Sequence, residues 1–252
     1  MAAPQLAGQV VIVTGGASGI GGATTRVLVA RGAKVVAVDI DEDAGRALTS
    51  DLGDDVAFLN GDVSDPEVAA RAVAVAVAVE RFGTLTGLVN NAHASRQKPL
   101  LELEAADWEL SFGTGFWATV QFMQAAHPEL AKAGGSIVNF GSGAAISGQA
   151  TQAAYAAAKE AIRGVSRVAA NEWASAGIRV NVVSPLAHTS GVEAWSKAAP
   201  EQYQQVLRST PLGRFGDPQT DVAPIVAFLL SDDSRYMTGQ TLMADGGTHK
   251  LY

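Results

Sequence analysis

Three side chains capable of proton transfer have the spacing expected of one acid–base centre. Ser142 stands 13 residues before Tyr155, and Lys159 follows Tyr155 by four. Residues i and i+4 share one face of a helix, so the phenol and the ammonium are expected side by side. A nearby ammonium lowers the pKa of a tyrosine from its usual value of about 10. The pattern predicts that Tyr155 exchanges a proton with a substrate oxygen that Ser142 orients; the alternative is a surface Tyr–Lys pair.

A glycine-rich turn near the amino terminus has the composition of a phosphate-binding site. Gly15, Gly19 and Gly21 follow the apolar run 10–13, and Ser18 and Ile20 lie between them. Glycine permits a tight bend and a close approach of backbone amides to a pyrophosphate, and a helix N-terminus favours negative charge. The turn predicts a dinucleotide site, with an ordinary glycine turn as the alternative.

An acidic residue beyond this turn favours NAD over NADP. Asp39 ends the second predicted strand, where its carboxylate can accept hydrogen bonds from the ribose diol and repel a 2′-phosphate. Neighbouring residues supply no cation for that phosphate. Asp39 could alternatively cap a helix. Asp62 and Val63 follow the third predicted strand, where a side chain can reach adenine, although Asp62 alone is typical of a loop or cap.

The elements that must position these residues alternate between strand and helix. The predicted strands are 10–13, 34–40, 56–59, 85–90, 136–140, 178–183 and 241–244. The predicted helices are 19–31, 41–52, 107–126, 152–176 and 220–230. The Val–Ala repeat at 72–79 has the period of a strand but the position of a crossover helix, and we predict a helix. The pattern indicates a single α/β domain over 1–252, with a helical flap at about 186–210 that sets the substrate.

In these motifs the chain resembles the short-chain dehydrogenase/reductase family over nearly its whole length. The motifs are TGGASGIG at 14–21, Asp39, Asp62-Val63, Asn90-Asn91-Ala92, Ser142, YAAAK at 155–159, NVVSP at 181–185 and DGG at 245–247. The resemblance implies a Rossmann-type doubly wound parallel sheet with helices on both faces. It also implies hydride transfer between NAD(H) and a secondary alcohol or ketone, and a homotetramer. The further cofactor contacts that it implies are Asn90, Ala92, Tyr155, Lys159, Pro185, His188 and Ser190.

The chain departs from the family pattern beside the acid–base centre. The family asparagine that helps to hold a water behind the lysine aligns with Gly115, and no asparagine occurs between Ala92 and Val138. We expect the freed space to admit water, and Gly115→Asn to be tolerated and to change rate rather than cofactor affinity. His93 replaces a family glycine and is expected to pack or to contact substrate, with proton shuttling as the alternative.

The remaining departures concern the substrate. Leu186 replaces the glycine after Pro185, and Ser190 aligns with a family threonine, next to Thr189. We expect His93, Leu186, His188 and Trp195 to line the substrate pocket and to favour an apolar or aromatic substrate, although each could simply pack. The second hypothesis is a cofactor-binding scaffold or sensor with weak or no turnover.

Composition excludes several other classes. The chain has 252 residues, a formal net charge of −7 and no cysteine, which argues against nucleic-acid partners, disulfides and thiolate-bound metals. The four histidines lack ligand spacing, so no metal is expected. We expect no secretory signal, no membrane partner and a cytoplasmic location. Leu251 and Tyr252 are the apolar candidates for docking on a neighbouring subunit.

Overall fold

Seven parallel strands form one sheet in the computed structural model, which describes residues 5–77 and 82–250. The strands are β1 Val10–Thr14, β2 Lys34–Asp39, β3 Val56–Asn60, β4 Gly87–Asn90, β5 Ser136–Phe140, β6 Arg179–Pro185 and β7 Thr241–Ala244. Their order is β3-β2-β1-β4-β5-β6-β7. The order reverses between β1 and β4, as in a doubly wound sheet.

Helices connect the strands. They are α1 Gly19–Ala30, α2 Glu42–Leu52, α3 Pro66–Val77, α4 Ala105–Ser111, α5 Ala118–Ala133, α6 Gly143–Ser147, α7 Ala153–Glu172, α8 Ser190–Ala198, α9 Pro200–Ser209 and α10 Ala223–Leu230. Two wider π-helical segments, Phe112–Trp117 and Pro218–Val222, run directly into α5 and α10. The predicted Rossmann-type fold is confirmed.

The two faces of the sheet support separate halves of the core. Val10 and Ile12 of β1 point to a cluster that includes side chains from α3, α5 and α7. Val11 and Val13, the alternate residues, belong to a cluster with α1, α2 and α10. This alternation follows from the period of two in a strand, and burial on both faces explains the continuous apolar run.

Three parts of the fold differ from the predictions or extend them. The single helix expected at 107–126 is α4, a π-helical segment and α5, which continues to Ala133. The short helix α6 was not predicted. The flap contains two helices, α8 and α9, joined at Ala199. The Val–Ala repeat is helical as far as α3 is described; its last two residues, together with Leu251 and Tyr252, lie outside the described residues.

Candidate active site

The carboxyl edge of the sheet collects the predicted functional residues. The glycine turn follows β1, Asp39 ends β2, Asn90 ends β4 and Ser142 follows β5. β1 pairs with β2 on one side and β4 on the other, so the reversal of strand order lies beside the glycine turn. Crevices at such reversals are the usual ligand sites of open α/β sheets.

The geometry of the glycine turn fits a pyrophosphate. Gly15 and Gly19 have φ of +60° and +55°, values that disfavour other residues. A Cβ on Gly21 would lie 1.9 Å from the Gly15 carbonyl oxygen, while a Cβ on Gly19 would meet nothing within 4 Å. Ser18, the N-cap of α1, makes no capping hydrogen bond through its side chain. The turn is therefore open at Gly19, and the first amides of α1 remain suited to a phosphate.

Two residues without a predicted role brace this turn. Asn91 Nδ2 donates to the carbonyl oxygens of Thr14 and Gly15, at 3.0 and 3.3 Å. Thr14 Oγ1 accepts from the amides of Asn91 and Ala92, at 3.0 and 3.1 Å. Together they tie the end of β4 to the turn after β1. Asn91 stands inside the motif Asn90-Asn91-Ala92, but only its tertiary contacts reveal this bracing role.

Asp39 is held in place by the backbone of the same region. Its Oδ2 accepts from the Ala17 amide at 3.0 Å, and its Oδ1 accepts from the Asp41 amide at 3.1 Å. The carboxylate thus meets the glycine turn at the end of β2. A carboxylate oxygen has more than one acceptor site, so these bonds leave capacity for a ribose hydroxyl. Asp41, not Asp39, caps α2 by accepting from Ala44.

The other residues expected around the cofactor divide by exposure. Asp62 is exposed and accepts from the amide and hydroxyl of Ser64, as in the turn alternative. Val63 is buried in the core. Asn90 is buried and donates to Asn139 Oδ1 at 2.8 Å, while its own Oδ1 has no hydrogen-bond partner. Ala92 packs against the core at the edge of the crevice.

Ser142, Tyr155 and Lys159 meet as their spacing predicts. Tyr155 and Lys159 are the third and seventh residues of α7, and Ser142 lies at the N-terminal end of α6. Ser142 forms a side-chain hydrogen bond with Tyr155. Lys159 Nζ donates to the Phe140 carbonyl at 2.9 Å and lies 5.7 Å from the centre of the Tyr155 ring. These positions bring a hydroxyl, a phenol and a lysine to one end of a cavity.

Burial dominates the pKa values of these groups. Burial raises the pKa of Tyr155, and the Ser142 hydrogen bond lowers it by less. Complete burial lowers the pKa of Lys159 from 10.5 to about 7. The expectation that Lys159 lowers the pKa of Tyr155 is therefore wrong for the protein alone. A lysine that is only partly charged near neutral pH exerts a weak effect, whereas loss of water around the phenol opposes its ionisation directly.

His93 occupies the space opened by Gly115. A Cβ on Gly115 would lie 2.9–3.1 Å from three atoms of the His93 ring. The ring centroid lies 4.9 Å from that of Tyr155, and Nε2 is 2.9 Å from Ser111 Oγ. Burial, followed by the charge of Lys159, lowers the pKa of His93 to about 2. The ring is therefore neutral at physiological pH.

This packing argues against two expectations about Gly115. The space is filled by imidazole and is not left for water, and a Cβ at this position would have to displace the ring. The expected effect of Gly115→Asn on rate rather than on cofactor affinity stays a prediction. His93 cannot move freely aside, because it contacts both Tyr155 and Ser111. The two departures from the family pattern therefore form one compensated pair. Neither residue alone could have indicated this, since 22 positions separate them in the chain.

A cavity of about 1250 Å³ opens above the acid–base centre. Of the predicted residues, its wall includes Ile20, His93, Ser142, Tyr155, Lys159, Pro185, Leu186 and Trp195. His188 and Ser190 do not lie on this wall. The His188 amide donates to Gly216 and its ring packs against Phe215, while Ser190 is exposed at the start of α8. Thr189 lines the cavity in place of Ser190.

The structure also bears on two classes of partner. None of the described helices is long and apolar enough to cross a membrane. Within residues 5–77 and 82–250, no three His, Asp or Glu side chains are grouped as metal ligands.

Comparison with known proteins gives consistent relatives. Residues 15–249 match the model of a family described as enoyl-(acyl carrier protein) reductase. The 12α-hydroxysteroid dehydrogenase of a Clostridium species is 40% identical, with 95% of this chain and 96% of that protein aligned. The trans-4-hydroxycyclohexanecarboxylate dehydrogenase of Sinomonas cyclohexanicum is 37% identical, with 96% and 93% aligned.

A solved structure confirms the likeness of the whole fold. A short-chain dehydrogenase/reductase from Brucella melitensis, described as a glucose/ribitol dehydrogenase, superimposes with a TM-score of 0.91. It is 31% identical, and the match covers 98% of this chain and 99% of that one. The chain therefore belongs to the short-chain dehydrogenase/reductase family, whose members use nicotinamide cofactors, and is an oxidoreductase acting on alcohol or ketone substrates.

Proposed function

We propose that the protein interconverts a secondary alcohol on an alicyclic ring and the corresponding ketone, with NAD(H) as cofactor. The observation that carries this proposal is the hydrogen-bonded Ser142–Tyr155 pair above the buried Lys159, at one end of a large cavity. A bound nicotinamide ring would supply or accept the hydride. The chain's own residues manage the substrate oxygen and its proton.

Ser142 and Tyr155 would hold one substrate oxygen between them. In ketone reduction the hydroxyl of Ser142 orients the carbonyl oxygen, and the phenol of Tyr155 donates its proton to that oxygen. The raised pKa of Tyr155 keeps the phenol protonated and able to act as this acid. In alcohol oxidation the same proton returns to Tyr155. Such positioned proton transfer contributes about 10²–10⁴-fold to rate.

Lys159 would bind the cofactor and stabilise negative charge on Tyr155. Its bond to Phe140 fixes Nζ behind the Tyr155 ring, where it can reach a ribose hydroxyl. With a pKa of about 7, Lys159 gains its proton as pH falls through the neutral range. The charged form would stabilise the phenolate that follows proton donation.

The ring-shaped substrate class rests on the cavity and on two relatives. Leu186, Val192 and Trp195 give one wall apolar surface, and the cavity of about 1250 Å³ has room for a cyclic substrate beside the nicotinamide end of the cofactor. The two curated relatives carry names of enzymes that act on steroid and cyclohexane alcohols. A cyclic secondary alcohol suits both facts.

The test is reduction of a panel of ketones and imines with NADH. We expect cyclic ketones to be reduced, and Tyr155→Phe to lower kcat by about 10²–10⁴-fold while NADH still binds. The phenylalanine ring preserves packing against His93 and removes only the hydroxyl. Unchanged turnover in Tyr155→Phe would refute the role given to Tyr155.

The scaffold or sensor alternative is not favoured by these observations, since the acid–base residues are assembled and the named relatives are enzymes. It predicts NADH binding with no change in absorbance on addition of any ketone. Oxidation of NADH that depends on Tyr155 would exclude it.

The choice of NAD rests on Asp39. A carboxylate beside a 2′-phosphate costs about 1–4 kcal/mol at separations near 4 Å, depending on solvent exposure. We expect wild-type kcat/KM to be about 5–10³-fold higher with NADH than with NADPH, since every 1.4 kcal/mol is a factor of ten. Asp39→Asn retains an acceptor for the Ala17 amide and removes the charge, so it should reduce this ratio. Equal use of both cofactors by the wild type would contradict the assignment.

A further inference from the structure

A second imidazole lies in the cavity beside the acid–base centre. His249, four residues beyond Asp245, lines the same cavity as Ser142 and Tyr155. Its Nδ1 is 2.9 Å from Asp245 Oδ2. Among the described residues, this is the one hydrogen bond that the ring makes. Neither residue takes part in the proton transfer described above. The Nε2 atom is left for a ligand.

Asp245 fixes the tautomer of this imidazole. The carboxylate is only 4% exposed and accepts from the amides of Gly247 and His249, at 3.0 and 2.8 Å. A carboxylate accepts hydrogen bonds and cannot donate them, so the proton of the neutral His249 ring lies on Nδ1. Nε2 is then an acceptor. The turn therefore holds Nδ1 and leaves Nε2 as the acceptor atom of a ring that lines the cavity.

Gly143 makes room for the ring directly after the catalytic serine. A Cβ at this position would lie 2.6 Å from both Cε1 and Nδ1 of His249. Any larger residue would displace the imidazole. Consecutive Cα atoms lie about 3.8 Å apart, and the His249 ring packs on Gly143, the residue after Ser142. One small molecule can therefore contact both Ser142 and His249. A substrate held by Ser142 can thus reach Nε2 with a second functional group.

We propose that His249 Nε2 accepts a hydrogen bond from a second hydroxyl group of the substrate. The protein then prefers hydroxyketones and diols to the corresponding simple ketones and alcohols. Asp245 favours this class over an anionic one, because its buried negative charge repels a substrate carboxylate. The inference rests on the proposed function, which supplies the reacting carbonyl.

The experiment compares kcat/KM for cyclohexanone with that for 2-, 3- and 4-hydroxycyclohexanone. At least one hydroxyketone should be favoured about three- to tenfold, the worth of one net hydrogen bond. His249→Phe should bring that ratio close to one, mainly through the KM of the hydroxyketone. His249→Asn, which retains an acceptor and tests against misfolding of the phenylalanine variant, should keep part of the preference.

Donor and acceptor roles are separated by the methyl ether of the preferred hydroxyketone. The ether oxygen accepts but cannot donate, so the wild type should lose its preference for this ligand. Asp245→Asn should keep its amide oxygen on the His249 amide and on Nδ1, because Oδ2 of Asp245 accepts from both. That variant should therefore retain the hydroxyl preference while removing the negative charge, and only its discrimination against a substrate carboxylate should weaken.

The outcomes distinguish this inference from the proposed function. If cyclohexanone is reduced in a Tyr155-dependent way but the hydroxyl preference is absent or survives in His249→Phe, only the role of His249 is refuted. A His249-dependent preference for 4-oxocyclohexanecarboxylate over the hydroxyketones would also refute it. If the wild type reduces no ketone, the proposed function itself fails and the inference falls with it.

Discussion

Burial sets the charge of Lys159, and this has a measurable cost for folding. The side chain is enclosed by protein, with one hydrogen bond to Phe140, and its pKa is lowered from 10.5 to about 7. The cost is fully present below pH about 7, where both folded and unfolded chains carry the proton. Between pH about 7 and 10.5 the folded chain carries Lys159 uncharged while the unfolded chain still binds the proton. The destabilisation caused by burying the charge therefore declines as pH rises through this range.

Lys159→Met should therefore stabilise the protein in a pH-dependent way. A shift from 10.5 to about 7 corresponds to at most about 5 kcal/mol, at 1.36 kcal/mol per pKa unit. We expect the free energy of unfolding of the variant to exceed that of the wild type most at pH about 6, and the difference to shrink by pH about 9.5. Urea unfolding of both proteins measures it. A difference independent of pH would contradict the lowered pKa.

The pairing of Gly115 with His93 predicts a substitution effect confined to one glycine. Gly115→Ala should cost about 1–3 kcal/mol, because its Cβ would press on the imidazole. Gly113→Ala is the matched control in the same π-helical segment, since the nearest atom to its Cβ is 3.9 Å away. The double variant His93→Gly/Gly115→Ala should recover most of the free energy of unfolding that Gly115→Ala alone loses relative to its parent. Equal effects of both alanines would refute the pairing.

Local spacing predicts that Ser142, Tyr155 and Lys159 meet, whereas the residues around them are placed by tertiary contacts. These three residues and the glycine turn stand close in sequence or at helical spacing, so their types and spacing predict the roles proposed for them. The brace from Asn91 to the glycine turn joins residues 76 or more positions apart. The pKa of Tyr155 depends on how completely the fold buries it, which no local pattern contains.

Among the elements, α4 anchors the segment that follows β4. Asp107 of α4 accepts from Lys98 Nζ at 2.8 Å, from Arg96 at 3.3 Å and from the Glu104 amide at 3.0 Å. The Lys98 amide also donates to Thr151. The anchored segment carries Ser95 and Gln97 on the cavity wall. A structural ion pair thus holds part of the cavity wall.

Asp107→Asn should weaken both folding and substrate binding. Hydrogen bonds, with Lys98 foremost, lower the pKa of Asp107 from 3.8 to about 2. A lowered folded pKa contributes stability that is present above pH about 3.8 and lost as pH falls through about 2. The melting temperature of the variant should be lower than that of the wild type at neutral pH, with a gap that narrows in acid. The KM of Asp107→Asn for the ketone should also rise. An unchanged KM would show that the contacts of Asp107 do not position residues that bind substrate.

The π-helical segment Phe112–Trp117 shows why one element boundary was missed. The sequence there continues the polar and apolar pattern of a helix, and we expected one helix over 107–126. The structure widens the helix for six residues and buries Gly115 against His93. A π segment differs from an α-helix in its hydrogen bonds from residue i to i+5, which no residue type marks in the sequence, and such segments often occur at functional sites. The packing of His93, far away in sequence, accompanies this local change.

Across the whole molecule, a parallel sheet explains why scattered motifs meet. Every strand points its carboxyl end to the same edge, so residues that follow β1, β2, β4 and β5 converge there. Alternating strands and helices were sufficient to predict this architecture. The positions of α8 and α9 were not predictable in detail, because a flap without strands is placed by packing such as the stacked rings of Tyr203 and Phe215. We expect substrate choice to depend on that placement.

The surface around α7 carries exposed apolar side chains where we expect the subunits of the predicted homotetramer to meet. Trp117 and Val168 are 54% and 51% exposed, and they lie on the π-helical segment and α7, which pack together. Exposed large apolar residues on adjacent elements are typical of an interface. We expect light scattering to give four times the mass of one chain. A stable interface of this kind buries well over about 1,000 Å², so a charge within it should disrupt assembly.

Trp117→Glu combined with Val168→Glu should therefore yield a smaller species. Two carboxylates buried without partners between subunits would cost more than the contacts around them contribute. Leu212→Glu is the matched control, because Leu212 is 71% exposed and follows α9 on the flap side of the molecule. The control should retain the wild-type mass. A monomeric wild type, or a tetramer that survives the double substitution, would show that this face is not the interface.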